Sequence, residues 1–238
     1  MRKNVKEFYN EFSKSTLNRD FKQINLRHTA IKHLISKYLG PNHRVLEIGC
    51  GAGIITRFIA KRVREVLAVD ISDVNIETAR RYVQSSNCNF ASLDITTPEA
   101  WSALPSKFDV VILADVIEHI PLEKHEFLFG AIRERMVESG WLILTFPSPE
   151  FQTYLSETSP AELQIVDEQI EIAGLLSNCP LHLNFFSYCP AWDTNQYVHA
   201  VFMNGTPSIK PIIPSFWCRI YRRTANWLWS VINLRHIQ

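Results

Sequence analysis

Val45-Leu46-Glu47-Ile48-Gly49-Cys50-Gly51-Ala52-Gly53 decides the fold. The apolar run from about Arg44 to Ile48 reads as a buried strand. Three glycines at alternate positions follow it, and Ile54-Ile55-Thr56-Arg57-Phe58-Ile59-Ala60-Lys61 then reads as a helix. Strand, tight turn and helix in that order open a parallel α/β unit, with the turn stripped of side chains where a ligand must approach the backbone. The dinucleotide fingerprint is G-x-G-x-x-G. Counted from Gly49, its third glycine falls on Ile54; the pattern here is E-x-G-x-G-x-G.

Further along, Leu67-Ala68-Val69-Asp70-Ile71 reads as a second buried strand ending in an acid. A carboxylate at that place can accept both hydroxyls of a ribose. Glycine turn and Asp70 together therefore point to an adenosine-containing ligand before they say which one. A pyrophosphate would sit on the positive end of the helix. S-adenosylmethionine instead offers a sulfonium cation and an amino-acid end, and asks for glycines plus acidic residues.

Glu47 to Gly53, Asp70, Leu93-Asp94-Ile95 and the run from Phe108 through Ala114-Asp115-Val116-Ile117-Glu118-His119-Ile120 together resemble a class I S-adenosylmethionine-dependent methyltransferase, over roughly residues 40–147. The Glu118-His119-Ile120 ending is similar to the small-molecule branch that includes ubiquinone-type O-methyltransferases. The resemblance implies a Rossmann-like α/β fold, a doubly wound seven-stranded mostly parallel sheet, and S-adenosyl-L-methionine as cofactor. It implies cofactor contacts from Glu47, Gly49, Cys50, Gly51, Gly53, Asp70, Ile71, Asp94, Ile95, Ala114 and Asp115. It also implies an N-terminal segment that folds over the cofactor, with Tyr9 covering it and Arg27 meeting its carboxylate. The competing readings are plain: Tyr9 as core, Arg27 as a solvated helix residue, Asp94 as the cap of the next helix.

The 238 residues suit one large α/β domain with an appended segment, divided at 1–40, 41–204 and 205–238. The net charge of +1 gives no strongly basic face for nucleic acid. Five cysteines (Cys50, Cys88, Cys179, Cys189, Cys218) show no C-x-x-C spacing, which reads as a reduced, cytoplasmic protein without a zinc site. The start of the chain has no apolar signal region, and no run approaches the ~18 apolar residues of a spanning helix.

In chain order, residues 4–39 read as two helices, with Phe8, Tyr9 and Phe12 on one face and Gly40-Pro41 ending the second. Strands are expected near 43–48, 66–70, 89–93, 108–113 and 140–146, and helices near 53–63, 73–86, 97–103 and 122–138. Ser72 is the expected N-cap of the second core helix, and Pro121 stands where the last one would begin. Phe146-Pro147-Ser148-Pro149 reads as a break, and residues 160–177 as a helix carrying Leu163, Val166, Ile170 and Ala173. Leu181–Tyr188 and Gln196–Met203 read as a terminal hairpin. Tyr154, Phe185, Tyr188 and Trp192 read as core before acceptor pocket. Beyond a Pro-rich linker, the stretch from Phe216 has helical periodicity, tryptophans on one side and Arg219, Arg222 and Arg223 on another. Such a helix docks on its own domain or a second subunit, or lies on an anionic membrane surface; docking is the preferred reading.

The chemistry centres on Asp115, Glu118 and His119. Methyl transfer is an in-line displacement in which the cofactor supplies reactivity and the protein supplies alignment. A hydroxyl acceptor gains from a general base, and an imidazole suits that role near neutrality. His119, supported by Glu118, is the histidine tied to a motif; His125, His182 and His199 are less constrained. The expected function is methylation of a small-molecule, peptide or glycan-precursor acceptor, at a hydroxyl or carboxyl oxygen. A nucleotide-cofactor (NAD-type) oxidoreductase and a non-catalytic S-adenosylmethionine-binding module stand as alternatives.

Overall fold

Burial at successive positions along the central strands marks a sheet covered on both faces. The computed structural model describes residues 4–22 (backbone only from 14), 26–105, 107–159, 164, 166–190 and 195–206. Two helices, α1 (Val5–Lys22) and α2 (Leu26–Ser36), precede β1 (Arg44–Ile48). Then come α3 (Thr56–Ala60), β2 (Glu65–Asp70), α4 (Asp73–Val83), β3 (Cys88–Ser92), α5 (Pro98–Ala103) and β4 (Phe108–Ala114). α6 (His125–Arg135), β5 (Met136–Pro147), α7 (Pro149–Thr158), α8 (Ile172–Asn178), β6 (His182–Cys189) and β7 (Tyr197–Met203) complete the described chain.

The seven strands lie in the order β3-β2-β1-β4-β5-β7-β6. β1 to β5 are parallel, while β7 runs antiparallel to both β5 and β6. Along β4, Val111 and Leu113 join one apolar cluster with Phe129, Ile132 and Phe146, whereas Val110 and Ile112 join another with Ile35, Ile59 and Ala79. That two-residue period assigns α6 and α8 to one face and α2, α3 and α4 to the other. Between β1 and β4 the winding direction reverses, and in such a sheet the carboxyl ends of those strands open a crevice. The 49–53 loop and Asp115 both stand there.

The doubly wound seven-stranded sheet and its terminal hairpin agree with the sequence reading. Several boundaries do not. The helix expected over 53–63 is only five residues long, because the glycine turn extends to its start. The helix expected over 122–138 begins with a single 3₁₀ turn at Leu122–Lys124 and stops at Arg135. Met136 is buried and already pairs with Phe108, so the chain enters β5 early and recovers register at Trp141 past an irregularity. Of the helix expected over 160–177, only the end is helical among the described residues: α8 starts at Ile172, and 166–171 are not helical, while α7 is a helix the reading did not expect. Ser148 caps α7 by accepting from the Phe151 amide at 3.1 Å, and Pro149 occupies its first turn. What read as a break is therefore a helix start. Tyr154, Phe185 and Tyr188 are exposed rather than core; Trp192 and the expected amphipathic helix beyond residue 206 lie outside the described residues.

Ser72 caps α4 as expected, with its hydroxyl used twice. It accepts from Asn75 N at 3.2 Å and donates to Asn10 Oδ1 of α1 at 2.7 Å. Ser72→Ala is expected to cost about 0.5–2 kcal/mol of stability and to loosen α1 from the sheet. Urea unfolding together with proteolysis of the first 22 residues checks both; a stable variant with α1 equally protected would contradict the double role.

Candidate active site

Asp70 ends β2 and is almost fully buried, yet it is well satisfied. Its Oδ2 accepts from Gly51 N at 2.9 Å, and its Oδ1 accepts from Ser72 N at 2.9 Å and Asn75 Nδ2 at 3.1 Å. Burial raises its pKa, and the bonds from the Ser72 and Gly51 amides oppose that rise. Gly51 takes φ +53°, and a β-carbon there would meet nothing within 4 Å, so its bare face is open space. Gly53 has a different task. A β-carbon on it would lie 2.8 Å from Val83 Cγ2 and 3.1 Å from Ala79 Cβ, so this glycine lets the loop pack on α4.

Two cavities meet over this loop. The first, of about 330 Å³, is bordered by Tyr9, Gly49, Gly51, Asp70, Ile71, Asp94, Ile95, Asp115 and His119. The second, of about 510 Å³, is bordered by Arg27, Glu47, Cys50, Ala114, Asp115, Glu118 and His119 on one side, and by Phe151, Gln152, Asp167 and Tyr197 on the other. Gly49, Gly51, Ala52, Asp115, His119 and Gln164 border both. The expected cofactor residues thus divide between two connected spaces, and Gly53 borders neither.

Arg27 is no solvated helix residue. Its guanidinium pairs with Asp115 Oδ2 at 2.9 Å and donates to the Tyr197 hydroxyl at 3.2 Å. Asp115 also accepts from Thr145 Oγ1 at 3.1 Å, and it stands at φ +57°, a left-handed conformation that Asp tolerates better than most residues. Tyr9 approaches His119 edge-on, with ring centroids 6.1 Å apart. Burial, followed by the charge of Glu118, holds the Tyr9 hydroxyl well above its ordinary range. Asp94 is exposed at the rim. Its Oδ1 accepts from Thr96 N at 3.0 Å and Thr96 Oγ1 at 2.7 Å, a local turn rather than a helix cap, since Thr97 precedes α5. Ile95 is buried, and its carbonyl accepts from Trp101 Nε1 at 2.8 Å.

The 3₁₀ turn Ile117–His119 brings Glu118 and His119 to the meeting point. His119 Nδ1 lies 2.9 Å from the Val166 carbonyl oxygen. A carbonyl only accepts, so Nδ1 carries the hydrogen and Nε2 keeps its lone pair. Burial lowers the His119 pKa, so the imidazole is neutral at pH 7. Burial, then the neighbouring Asp115, raises the Glu118 pKa; its Oε1 is 3.9 Å from His119 Nε2 and its Oε2 has no hydrogen-bond partner among the described residues. His125 and His199 are buried and His182 is exposed; none borders either cavity. Sequence reasoning missed Gln152, Asp167 and Tyr197, whose only signal is their position after folding. Among the described residues no group of three or more His, Cys, Asp or Glu could hold a metal ion, and no helix is long and apolar enough to cross a membrane.

Residues 45–140 match the family model described as a methyltransferase domain. Over 120 residues the chain is 29% identical to a ubiquinone biosynthesis O-methyltransferase of Azoarcus sp., covering 50% of each protein. Over 103 residues it is 34% identical to the mitochondrial ubiquinone biosynthesis O-methyltransferase of Schizosaccharomyces pombe, covering 43% of this chain and 37% of that one. The chain thus spans at most about half the length of these relatives. In fold it is similar to the N-methyltransferase NodS from Bradyrhizobium japonicum in complex with S-adenosyl-L-homocysteine. The TM-score is 0.66 at 18% identity, covering 84% of this chain and all of that one. The fold is that of the class I methyltransferases, and the oxidoreductase alternative is not favoured.

Glu47 gives this site a pH signature. It is buried in the loop's floor, its Oε2 is without a partner among the described residues, and burial pushes its pKa up to about 8. An acid with a raised folded pKa binds its proton more tightly when folded, so stability declines as pH rises from the ordinary value of 4.5 through about 8. Glu47→Gln, neutral and similar in shape, is expected to gain on the unsubstituted protein by up to about 1.4 kcal/mol per pH unit across that window. Urea melts at several pH values test this, and a stability difference independent of pH would rule it out.

Proposed function

We propose that this chain, whose residues 45–140 form a class I S-adenosylmethionine-dependent methyltransferase domain, methylates a hydroxyl oxygen of a small-molecule acceptor, with His119 as general base. One observation carries the reading. His119 stands where the two cavities meet, neutral, with Nδ1–H bound to the Val166 carbonyl and the Nε2 lone pair free to take a proton. The relatives of Azoarcus sp. and Schizosaccharomyces pombe are named O-methyltransferases, which supports oxygen as the acceptor atom.

The residues around the first cavity fit S-adenosylmethionine. The bare face of Gly51 leaves room that a side chain would fill, and Asp70 is a buried acid at the place suited to a ribose. Across the loop that both cavities share, Glu47 and Asp115 of the second cavity offer carboxyl oxygens to the ammonium of the cofactor's amino-acid end. When bound, the cofactor supplies an electrophilic methyl group carried on a sulfonium. Tyr9 closes the cavity from α1 and keeps water from the reacting groups.

On the acceptor side, Nε2 of His119 takes the hydroxyl proton as the oxygen becomes a nucleophile. The carboxylates of Asp167 and Asp115 favour the imidazolium that results. The same acids argue against a carboxylate acceptor. The one described cation against that cavity whose partner is a carboxylate, Arg27, is already engaged by Asp115. A neutral hydroxyl carried on an apolar frame fits between Ile54, Phe151 and Leu155. Cytoplasmic residence accords with the free state of the four described cysteines.

Two substitutions separate binding from chemistry. Asp70→Ala should weaken S-adenosylmethionine binding about ten- to a hundredfold, since hydrogen bonds to a charged group are worth roughly 1.5–3 kcal/mol. Some stability is lost as well, because Gly51 and Ser72 lose their acceptor. A folded variant with unchanged affinity in calorimetry would remove Asp70 from the cofactor site. His119→Ala should cut turnover of a hydroxyl acceptor by about 10²–10⁴-fold with cofactor affinity nearly unchanged. A variant that keeps most of its rate would reject the base.

A further inference from the structure

The strip Val166–Glu168 is stitched to the catalytic turn from both sides of Asp167. The Val166 carbonyl accepts from His119 Nδ1 at 2.9 Å, and the Glu168 amide donates to the Glu118 carbonyl at 2.7 Å. The side chain of Asp167 leaves in another direction. Its Oδ1 accepts from Gln152 Nε2 at 2.7 Å, and its Oδ2 accepts from the Gln164 amide at 3.3 Å. Gln152 is buried in α7, a helix fixed at its start by the Ser148 cap. A carboxylate has no hydrogen to give, so the amide nitrogen of Gln152 must face it, and the orientation of that side chain is set by chemistry. The chain of contacts is therefore continuous: α7, Gln152, Asp167, the Val166 carbonyl, the His119 ring.

We infer that Asp167, anchored by Gln152, is a positioning residue: it holds the Val166 carbonyl against His119 and thereby keeps the imidazole in the Nδ1–H tautomer with Nε2 open to the acceptor. An isolated neutral imidazole has two tautomers, and the hydrogen bond made by one nitrogen decides which is populated. Nothing else described reaches His119 Nδ1. Glu118 faces the other nitrogen at 3.9 Å, and Tyr9 meets the ring by its edge. Without the anchor, the Glu168 amide bond and the bonds of Gln169 Nε2 to Pro149 O at 3.3 Å and Thr153 Oγ1 at 3.2 Å still hold the strip near the turn, but none of them fixes the residue that carries the Val166 carbonyl. The proposal rests on the reading of His119 as base for its meaning, but its geometry can be tested without turnover.

Asp167 also acts through charge, and the two effects can be told apart. Its carboxylate, like that of Asp115, favours protonated His119, whereas Arg27 and burial oppose it. Glu118 on the same turn and Tyr9 on α1 complete the titratable groups facing the ring. Asp167→Asn keeps an oxygen for Gln152 and removes the charge. Asp167→Ala removes both.

The test is nitrogen-15 NMR of the His119 ring in the full-length protein, followed over pH, with His119→Gln supplying the assignment. The unsubstituted protein is expected to show a protonated Nδ1 and a bare Nε2 in the neutral form. Asp167→Asn should keep that tautomer and titrate at lower pH. Asp167→Ala should show a mixture of tautomers, and Gln152→Leu, which removes the anchor with the carboxylate in place, should do likewise. Should Asp167→Ala fail to fold, Gln152→Leu carries the same readout. An unchanged tautomer in a folded Asp167→Ala or Gln152→Leu overturns the proposal, as does an Nε2–H tautomer in the unsubstituted protein. Loss of turnover plays no part in these outcomes, so failure of the base role itself would appear separately, in His119→Ala.

Discussion

A single buried carboxylate holds the site's two halves together. Asp70 takes its hydrogen bonds from the β1 loop through Gly51 N and from the start of α4 through Ser72 N and Asn75 Nδ2. Left bare, a carboxylate at this depth would cost several kcal/mol; with three donors it becomes the point that fixes two strand ends and a helix N-terminus. The glycines make that convergence sterically feasible. Gly53 allows the loop to lie on Ala79 and Val83 of α4, and Gly51 presents its amide to Asp70 while leaving its other face bare. Ser72 then extends the connection to Asn10, so that α1 is registered on the same acid through one serine, whose amide meets Asp70 and whose hydroxyl meets Asn10.

A second hub does for the second cavity what Asp70 does for the first. Arg27 of α2 joins Asp115 after β4 and Tyr197 of β7, while Thr145 of β5 completes the coordination of Asp115. Four elements far apart in sequence are tied by one ion pair. The pair is partly buried, with side chains 27% and 14% exposed, so its worth lies less in net stability than in fixing Asp115 in a left-handed conformation at the mouth of the crevice. Asp115 borders both cavities, and its placement sets how they connect.

The legible parts of this fold were those encoded over short distances. Alternation in Val110–Leu113, the glycine spacing after Ile48 and the Ser72 cap are local facts, and each is expressed locally in the structure. The misread stretch at Ser148-Pro149 carried a local signal too, because a capping serine followed by proline is a helix start as well as a break. The strip 166–168 is different. Its apolar spacing suits a helix, but the Val166 carbonyl and Glu168 amide are claimed by the turn at 117–119. An amide has one hydrogen, so the Glu168 N–H, bonded across fifty residues, cannot also serve an i to i+4 ladder, and no periodicity in the sequence announces that choice. Gln152, Asp167 and Tyr197 were missed for the same reason: their roles exist only once α7, the strip and β7 have been brought to the strand ends.

The misread strip and the turn at 117–119 therefore share one cause. A helix continued through Val166–Glu168 would have drawn the Glu168 amide into its own ladder and away from the Glu118 carbonyl. Forgoing it there lets the strip lie against the turn, and the Val166 carbonyl then determines which nitrogen of a buried, neutral imidazole keeps its lone pair. Local structure is given up where the site needs a backbone atom at a set place, and burial of Gln152 and the cap at Ser148 offset the loss from the neighbouring helix. Preorganisation of this kind keeps the His119 ring in one orientation before any ligand arrives, and the irregular segment accordingly lies against His119 rather than at the far edge of the sheet.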